Sequence, residues 1–113
     1  MRAILIIPEE NLVSEIYLSA GLQPVYDALQ CTSFHLPDQI SLLTGHDLYL
    51  DQHAGTWDRG FEIGKDGVVF SGRGLILGLN SDTRDSVAAM LDLEEVRAMI
   101  DFPRVYNAFS AFF

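Results

Sequence analysis

The sequence predicts a small α+β domain: a mainly antiparallel sheet with two or three helices packed on one face. Three observations indicate this class. Short apolar or alternating segments, bounded by turn residues, recur along the chain and are typical of antiparallel strands. Two other segments space their apolar residues as helices do. The 113 residues, 49% of them hydrophobic, suffice for one core, so 1–113 is predicted to be a single domain.

The chain begins with a predicted hairpin. Ala3–Ile7 is a continuous apolar run, typical of a buried central strand, and Leu12–Leu18 alternates between apolar and polar residues. The polar residues between them predict a turn, so residues 3–18 form the hairpin. A helix is predicted next, because apolar residues follow at i, i+3, i+4 and i+7: Leu22, Val25, Tyr26 and Leu29.

Short strands are predicted for most of the remaining chain, at 33–36, 48–53, 61–63, 68–70, 75–77 and 86–91. The pair Asp66-Gly67 is a hairpin signal, and the glycine-flanked segment 75–77 is typical of a central strand. Asp92, with Glu95 three residues later, predicts the start of a last helix. Residues 101–113 are predicted to be a C-terminal helical extension.

Charge and cysteine content exclude several classes of protein. The formal net charge is −9, from sixteen acidic and seven scattered basic residues. Nucleic acids and anionic membranes require clustered Lys and Arg, so direct binding of either is not expected. The single cysteine, Cys31, allows no internal disulfide, which favours a reducing cytoplasm. The first apolar run ends at Pro8, too short for a signal peptide or a membrane span.

The stretch GHDLYLDQHAGTWDRG, residues 45–60, is the densest in polar and aromatic side chains. Strand alternation predicts one solvated face carrying Asp47, Tyr49, Asp51 and His53. His46 and His53 would then point to opposite faces, roughly 23 Å apart, and cannot share a metal ion. A site using Asp51 and His53 would need further ligands, such as His35. The solvated strand face is the preferred interpretation, and no metal or cofactor is predicted.

Two further motifs do not support catalysis. The run SGRGLILG at 71–78 has leucine at the third glycine position of the dinucleotide fingerprint and leads into a strand. Gly72 and Gly74 are therefore interpreted as a turn or bulge beside a strand. Cys31 with His35 is a weak nucleophile candidate, because a thiol at a helix end lacks the N-terminal dipole that lowers its pKa. We predict no catalytic residue.

Partner-binding residues are predicted instead. Trp57 in a loop either anchors a partner or folds back on the edge of the core. The C-terminal aromatic face either closes over the sheet or buries against a second copy or a partner. The acidic side chains would steer the chain toward a basic surface. The predicted contact residues are Trp57, Asp82, Asp85, Glu94, Glu95, Phe109, Phe112 and Phe113.

The order of these elements resembles a family of small uncharacterised proteins of bacteriophages, plasmids and actinobacteria-like genomes, whose shared domain has no assigned function. The resembling segments are Met1–Pro8, Gly21–Gln30, Leu48–Gly55, Gly72–Gly78 and Ser86–Ile100, about two thirds of the chain. The segments 32–46 and 101–113 depart from the family pattern. The resemblance implies a soluble, intracellular α+β protein of a mobile genetic element, and it brings no catalytic residues.

Three functional hypotheses follow. The first is a non-enzymatic, acidic protein-binding module of a phage or other mobile element that inhibits or modulates a host protein complex, with mimicry of nucleic acid as one route. The second is a small metal- or ligand-binding domain or enzyme that uses Asp51, His53 and His35. The third is a self-assembling structural protein that associates through Phe102–Phe113. The expected partner is a host protein or a second copy, without nucleic acid or membrane.

Overall fold

The computed structural model describes residues 1–37, 43–53, 59–64 and 69–103. Trp57, the predicted Asp66-Gly67 hairpin turn and residues 104–113, including Phe109, Phe112 and Phe113, lie outside the described residues. In chain order the described elements are β1 (Arg2–Ile7), a 3-10 turn (Pro8–Glu10), β2 (Leu12–Tyr17), α1 (Gln23–Leu29), β3 (Phe34–His35), β4 (His46–Asp51), β5 (Gly60–Ile63), β6 (Val69–Ser71), β7 (Gly74–Leu79), β8 (Ser86–Val87), α2 (Leu93–Met99) and β9 (Ile100–Asp101).

The main sheet has the strand order β2-β1-β7-β4-β3, and every neighbouring pair is antiparallel. The predicted first hairpin is confirmed, with pairs running from Arg2↔Tyr17 to Ile7↔Leu12. The predicted central strand is confirmed as β7. It pairs with β4 along one edge, and with β1 and then β8 along the other. The mainly antiparallel α+β class predicted from the sequence is therefore confirmed.

Both faces of the main sheet are covered, which divides the core in two. Ile4 and Ile6 of β1 face one side, where they pack with Phe61 of a small second sheet, β6-β5-β9, and with Val96 of α2. The alternate residues of β1 face the other side, where they pack with Leu29 of α1. The expectation that the helices share one face is therefore wrong. Burial on both faces also explains why β1 and β7 are continuous apolar runs.

Local signals account for the ends of both helices. The side chain of Asp92 accepts a hydrogen bond from the backbone N–H of Glu95 at 3.2 Å, so the predicted N-cap of α2 is confirmed. Gln30 ends α1 in the left-handed conformation, with φ of 53°. Both helices have seven residues, and no helix in the described part of the chain is long and apolar enough to cross a membrane.

The segments after β7 differ from the sequence prediction. The strand predicted at 86–91 is shortened to Ser86–Val87. The next residues are held by Arg2, whose guanidinium donates to the carbonyls of Ala89 at 2.9 Å and Leu91 at 2.8 Å. The chain leaves α2 directly as β9, which pairs with β5, so Ile100 is a strand residue opposite Ile63.

At Gly74 the second sheet packs tightly against the main sheet. A Cβ at this position would lie 2.6 Å from Cζ of Phe61 and 3.1 Å from Cδ1 of Leu48. Phe61 is completely buried, so its ring cannot move aside into solvent. The absence of a side chain at Gly74 therefore sets the distance between the two layers.

We expect Gly74→Ala to lower the free energy of unfolding by about 1–3 kcal/mol, because the added methyl group overpacks the core against Phe61. Chemical denaturation measures the change. The control is a double-mutant cycle with Phe61→Leu, which removes the colliding atom. The cost of Gly74→Ala should be smaller in the Phe61→Leu background, and an equal cost in both backgrounds would contradict the proposed contact.

Candidate functional site

A cleft of about 470 Å³ lies between the C-terminal end of α1 and the end of β4. It brings together side chains capable of acid–base chemistry, hydrogen bonding and ring contacts. Its described lining residues are Tyr26, Asp27, Gln30, Cys31, Thr32, Asp51 and His53. The sequence pairs Asp51 with His53 as candidates and leaves Cys31 apart from them, and the fold places all three around one space.

Three aromatic rings hold α1 over this end of the sheet. Phe34 of β3 lies 5.3 Å from Tyr26 of α1 and 5.1 Å from Tyr49 of β4, measured between ring centroids. Tilted ring pairs at such distances stabilise packing beyond the area that they bury. Phe34 also pairs directly with Asp51 across β3 and β4, so the aromatic cluster and the cleft share one face of the sheet.

The face of β4 that was predicted to be solvated is buried at Tyr49 and Asp51, whereas Asp47 is half-buried and His53 is exposed. Tyr49 is 8% exposed and Asp51 is 7% exposed. For Tyr49 and Asp51 the prediction was wrong, because α1 and the Phe34 ring lie over this part of the face and strand alternation cannot indicate such cover. One oxygen of the Asp51 carboxylate accepts a hydrogen bond from the backbone N–H of His53 at 2.9 Å. The carboxylate is thereby fixed at the wall of the cleft.

Cys31 is a poor nucleophile in this environment. Burial raises the pKa of the Cys31 thiol, and the negative charge of Asp51 raises that pKa further. A backbone hydrogen bond from Ser33 acts in the opposite direction but is the weakest of the three causes. The thiol therefore stays protonated at neutral pH and packs at the border of the core under α1.

His35 does not join this cleft. It pairs with Leu50, whereas its neighbour Phe34 pairs with Asp51, so His35 points to the opposite face from the Asp51 carboxylate. The second hypothesis therefore retains Asp51 and His53 but loses its third residue. Within the described ranges, no group of three or more His, Cys, Asp or Glu side chains is arranged to hold a metal ion.

His46 has a structural role that the sequence did not indicate. Its ring is 6% exposed; Nδ1 lies 2.9 Å from the carbonyl oxygen of Thr44, and Nε2 accepts from the backbone N–H of Met90 at 2.9 Å. This pattern fits a neutral ring that donates from Nδ1. His46 thus joins the start of β4 to the segment before α2. Only the tertiary fold brings these segments together, so no local signal could reveal this role.

The predicted acidic contact residues lie in two exposed segments. Asp82 and Asp85 belong to the loop between β7 and β8, and Glu94 and Glu95 form the first turn of α2. The loop is ordered by Asn80, whose side-chain oxygen accepts from the backbone N–H of Asp82 at 3.0 Å and of Thr83 at 3.3 Å. These interactions present Asp82 and Asp85 to solvent on a defined backbone, with Arg84 between them.

Three arginines, in contrast, bind groups of their own chain. Arg2 forms an ion pair with Glu15 at 3.1 Å, in addition to its bonds to backbone carbonyls. Arg73 pairs with Glu9 at 2.6 Å and is only 14% exposed. Arg97 donates to the carbonyl of Val13 at 3.1 Å and to Glu94 at 2.6 Å. Each of these pairs also engages one carboxylate, and the exposed side chains of the described residues still include more acidic than basic groups.

Comparison of the chain with protein-family models, with characterised proteins and with solved structures finds no match. The site is therefore interpreted from its own residues.

We expect iodoacetamide to alkylate Cys31 more slowly than a small model thiol at about pH 8, because the raised pKa reduces the thiolate fraction. Asp51→Asn removes one of the two causes that raise the pKa of Cys31, the negative charge, and leaves the other, burial. It should therefore speed alkylation several-fold without reaching the rate of the model thiol. Mass spectrometry of the alkylated protein over time gives the rates.

Asp27→Asn is the matched control for this measurement. It removes the same charge from the same cleft, but Asp27 is not among the groups that shift the pKa of Cys31. It should leave the alkylation rate unchanged. If both substitutions accelerated alkylation equally, Asp51 would make no specific contribution to the pKa of Cys31.

Proposed function

We propose that the protein is a non-enzymatic, acidic protein-binding module that engages a basic surface of a partner protein. The observation that carries the proposal is the difference between the basic and the acidic side chains in their exposure and internal contacts. The three arginines described above bind groups of their own chain, while the four predicted acidic residues stay exposed, with Glu94 among them as the partner of Arg97. An excess of exposed negative charge attracts a positively charged surface and raises the rate of encounter.

The ordered geometry of the two acidic segments supports specific recognition. The Asn80-centred loop fixes two carboxylates, and the capped start of α2 fixes two more. Charges on a preorganised backbone cost less entropy on binding than charges on a flexible tail. Inhibition of a host protein complex by a mobile-element protein, and mimicry of nucleic acid, stay predictions that rest on the sequence resemblance and the net charge.

The test is affinity capture from a lysate of the organism that encodes the chain. We expect the wild-type protein to retain one stoichiometric protein at low salt and to lose it at high salt. The combined variant Asp82→Asn, Asp85→Asn, Glu94→Gln, Glu95→Gln should bind this protein on the order of tenfold more weakly, with a reduced salt dependence. Titration with the purified partner quantifies the difference.

The matched control removes four acidic charges elsewhere, at Glu10, Asp27, Glu62 and Asp101. Three of these residues are exposed, and the fourth, Glu62, lies directly opposite Asp101 across β5 and β9. This variant should retain the partner almost as the wild type does. Equal loss in both variants would mean that net charge alone acts, and unchanged binding in both would contradict the proposal.

A second candidate function, binding of a small organic cation, is favoured by the cleft. Its described lining includes two carboxylates, Asp27 and Asp51, with the Tyr26 ring and no Lys or Arg. Carboxylates and an aromatic face together suit an amine. Spermidine, used as the probe, should then raise the melting temperature of the wild type in a saturable manner. Asp51→Asn should abolish the shift and Asp82→Asn should not; equal shifts in both would contradict the site.

A further inference from the structure

Strand β2 forms one edge of the main sheet, and among the described residues only β1 pairs with it. It is six residues long, as long as the central strand β7. Its sequence, LVSEIY, contains neither proline nor lysine, the residues that most often protect an edge from pairing. The edge is therefore long enough to accept another strand.

The hydrogen bonds at the end of the hairpin show which backbone groups face outward. Met1 and Leu18 exchange two bonds, N–H of Leu18 to the carbonyl of Met1 and the N-terminal ammonium to the carbonyl of Leu18, both at 2.8 Å. Bonded and non-bonded pairs alternate along an antiparallel ladder. The N–H and C=O groups of Val13, Glu15 and Tyr17 therefore point away from β1.

One of these three residues is covered and two are accessible. Arg97 donates to the carbonyl of Val13 at 3.1 Å, so α2 protects this end of the edge. At Glu15, the carbonyl has a long 3.4 Å contact from the hydroxyl of Ser14 and no other hydrogen bond from the described residues. Tyr17 is 72% exposed. The open part of the edge thus begins at Glu15 and extends to the end of β2.

The charge on this edge is compensated within the chain. Arg2 lies 3.1 Å from the Glu15 carboxylate, and the hydroxyl of Tyr17 donates to the same carboxylate. An inward- or outward-pointing charge normally discourages strand pairing because it must be desolvated. Here the charge already has two partners, so this protection is weakened.

We propose that β2 pairs with β2 of a second copy of the chain, antiparallel, about a two-fold axis at Ile16. Glu15 of each copy then lies opposite Tyr17 of the other copy, and their outward N–H and C=O groups form bonded pairs. The two six-stranded sheets become one continuous sheet. This inference concerns a different surface from the acidic segments and does not depend on the proposed function.

The free groups of the edge select this register. An axis at Glu15 would place the two Glu15 carboxylates directly opposite each other, which is destabilising. An axis at Ser14 would require the carbonyl of Val13, which Arg97 occupies. An axis at Tyr17 would pair Glu15 with residue 19, beyond the end of β2. The axis at Ile16 avoids all three problems.

The side chains are complementary in the same register. The two Ile16 side chains meet at the axis as a non-bonded pair, where side chains approach most closely and β-branched residues pair favourably. The Tyr17 hydroxyl, which now donates to Glu15 of its own chain, faces Glu15 of the partner. A strand that is complementary to itself argues for a second copy as the occupant rather than an unrelated peptide.

Sedimentation of the full chain across a concentration series tests the proposal. We expect the average mass of the wild type to rise toward twice the chain mass over roughly 10–500 µM, the range for a small interface. Tyr17→Pro should stay monomeric, because proline removes an outward N–H without removing a bond to β1. Tyr17→Thr keeps the N–H and should still dimerise, though more weakly. Circular dichroism confirms that both variants are folded.

Cross-linking tests the register independently, in a Cys31→Ala background. Ile16→Cys should form a disulfide-linked dimer under mild oxidation, because Cα atoms of a non-bonded antiparallel pair lie about 4.5 Å apart. Ser14→Cys points to the same face but would be roughly 13 Å from its counterpart, so it should not cross-link.

A monomeric wild type at the highest concentration would overturn the proposal. A dimer that persists in Tyr17→Pro would also overturn it and would place the contact elsewhere, for example in residues 104–113. Equal cross-linking of the two cysteine variants would overturn the register at Ile16.

Discussion

The structure depends on β7, which is hydrogen-bonded along both edges and buried on both faces. Three strands pair with it, and its apolar side chains enter both halves of the core. Neighbouring layers can pack closely against such a strand only where the strand itself has no side chain. Gly74 provides this room for Phe61 of the second sheet, and Gly78 provides it for the backbone of Ala88, which a Cβ would approach to 2.5 Å. These two contacts set how closely the second sheet and the segment after β8 approach β7.

The antiparallel arrangement around β7 separates the two candidate sites. The acidic loop follows the C-terminal end of β7, whereas the cleft lies at the C-terminal end of β4, which runs in the opposite direction beside it. The two sites therefore lie at opposite ends of the main sheet. Charge changes in the loop are separated from Asp51 by the length of the strands, and exposed charges are screened over about 10 Å at ordinary salt concentrations. Each site is thus open to separate study.

The sequence predicted the elements that depend on local patterns. The hairpin of β1 and β2, the helix α1, the central strand β7 and the Asp92 cap each have a signal within a few residues. The errors concern residues whose neighbours are distant in the chain. Tyr49 and Asp51 alternate with apolar residues as a solvated face does, but α1 covers them; the partner of His46 is Met90. For the predicted acidic contact residues, the residue type itself indicated exposure, because acidic side chains rarely stay buried without partners. The surroundings of the other candidate site residues had no such signal in the sequence.

The two edge strands of the main sheet differ in how well they are protected from pairing with another strand. Edge strand β3 has only two residues, and Pro37 follows soon after, so this edge offers little backbone for another strand. Edge strand β2 has six residues, and its one charged side chain is held by Arg2. The sheet therefore has one protected edge, at β3, and one longer edge, at β2, that is accessible to another strand. Among the described residues, Arg97 covers β2 at Val13. The part of the edge that stays open is the segment around Ile16, which is complementary to itself. This coincidence favours an interface between two copies over an edge strand that is merely unprotected.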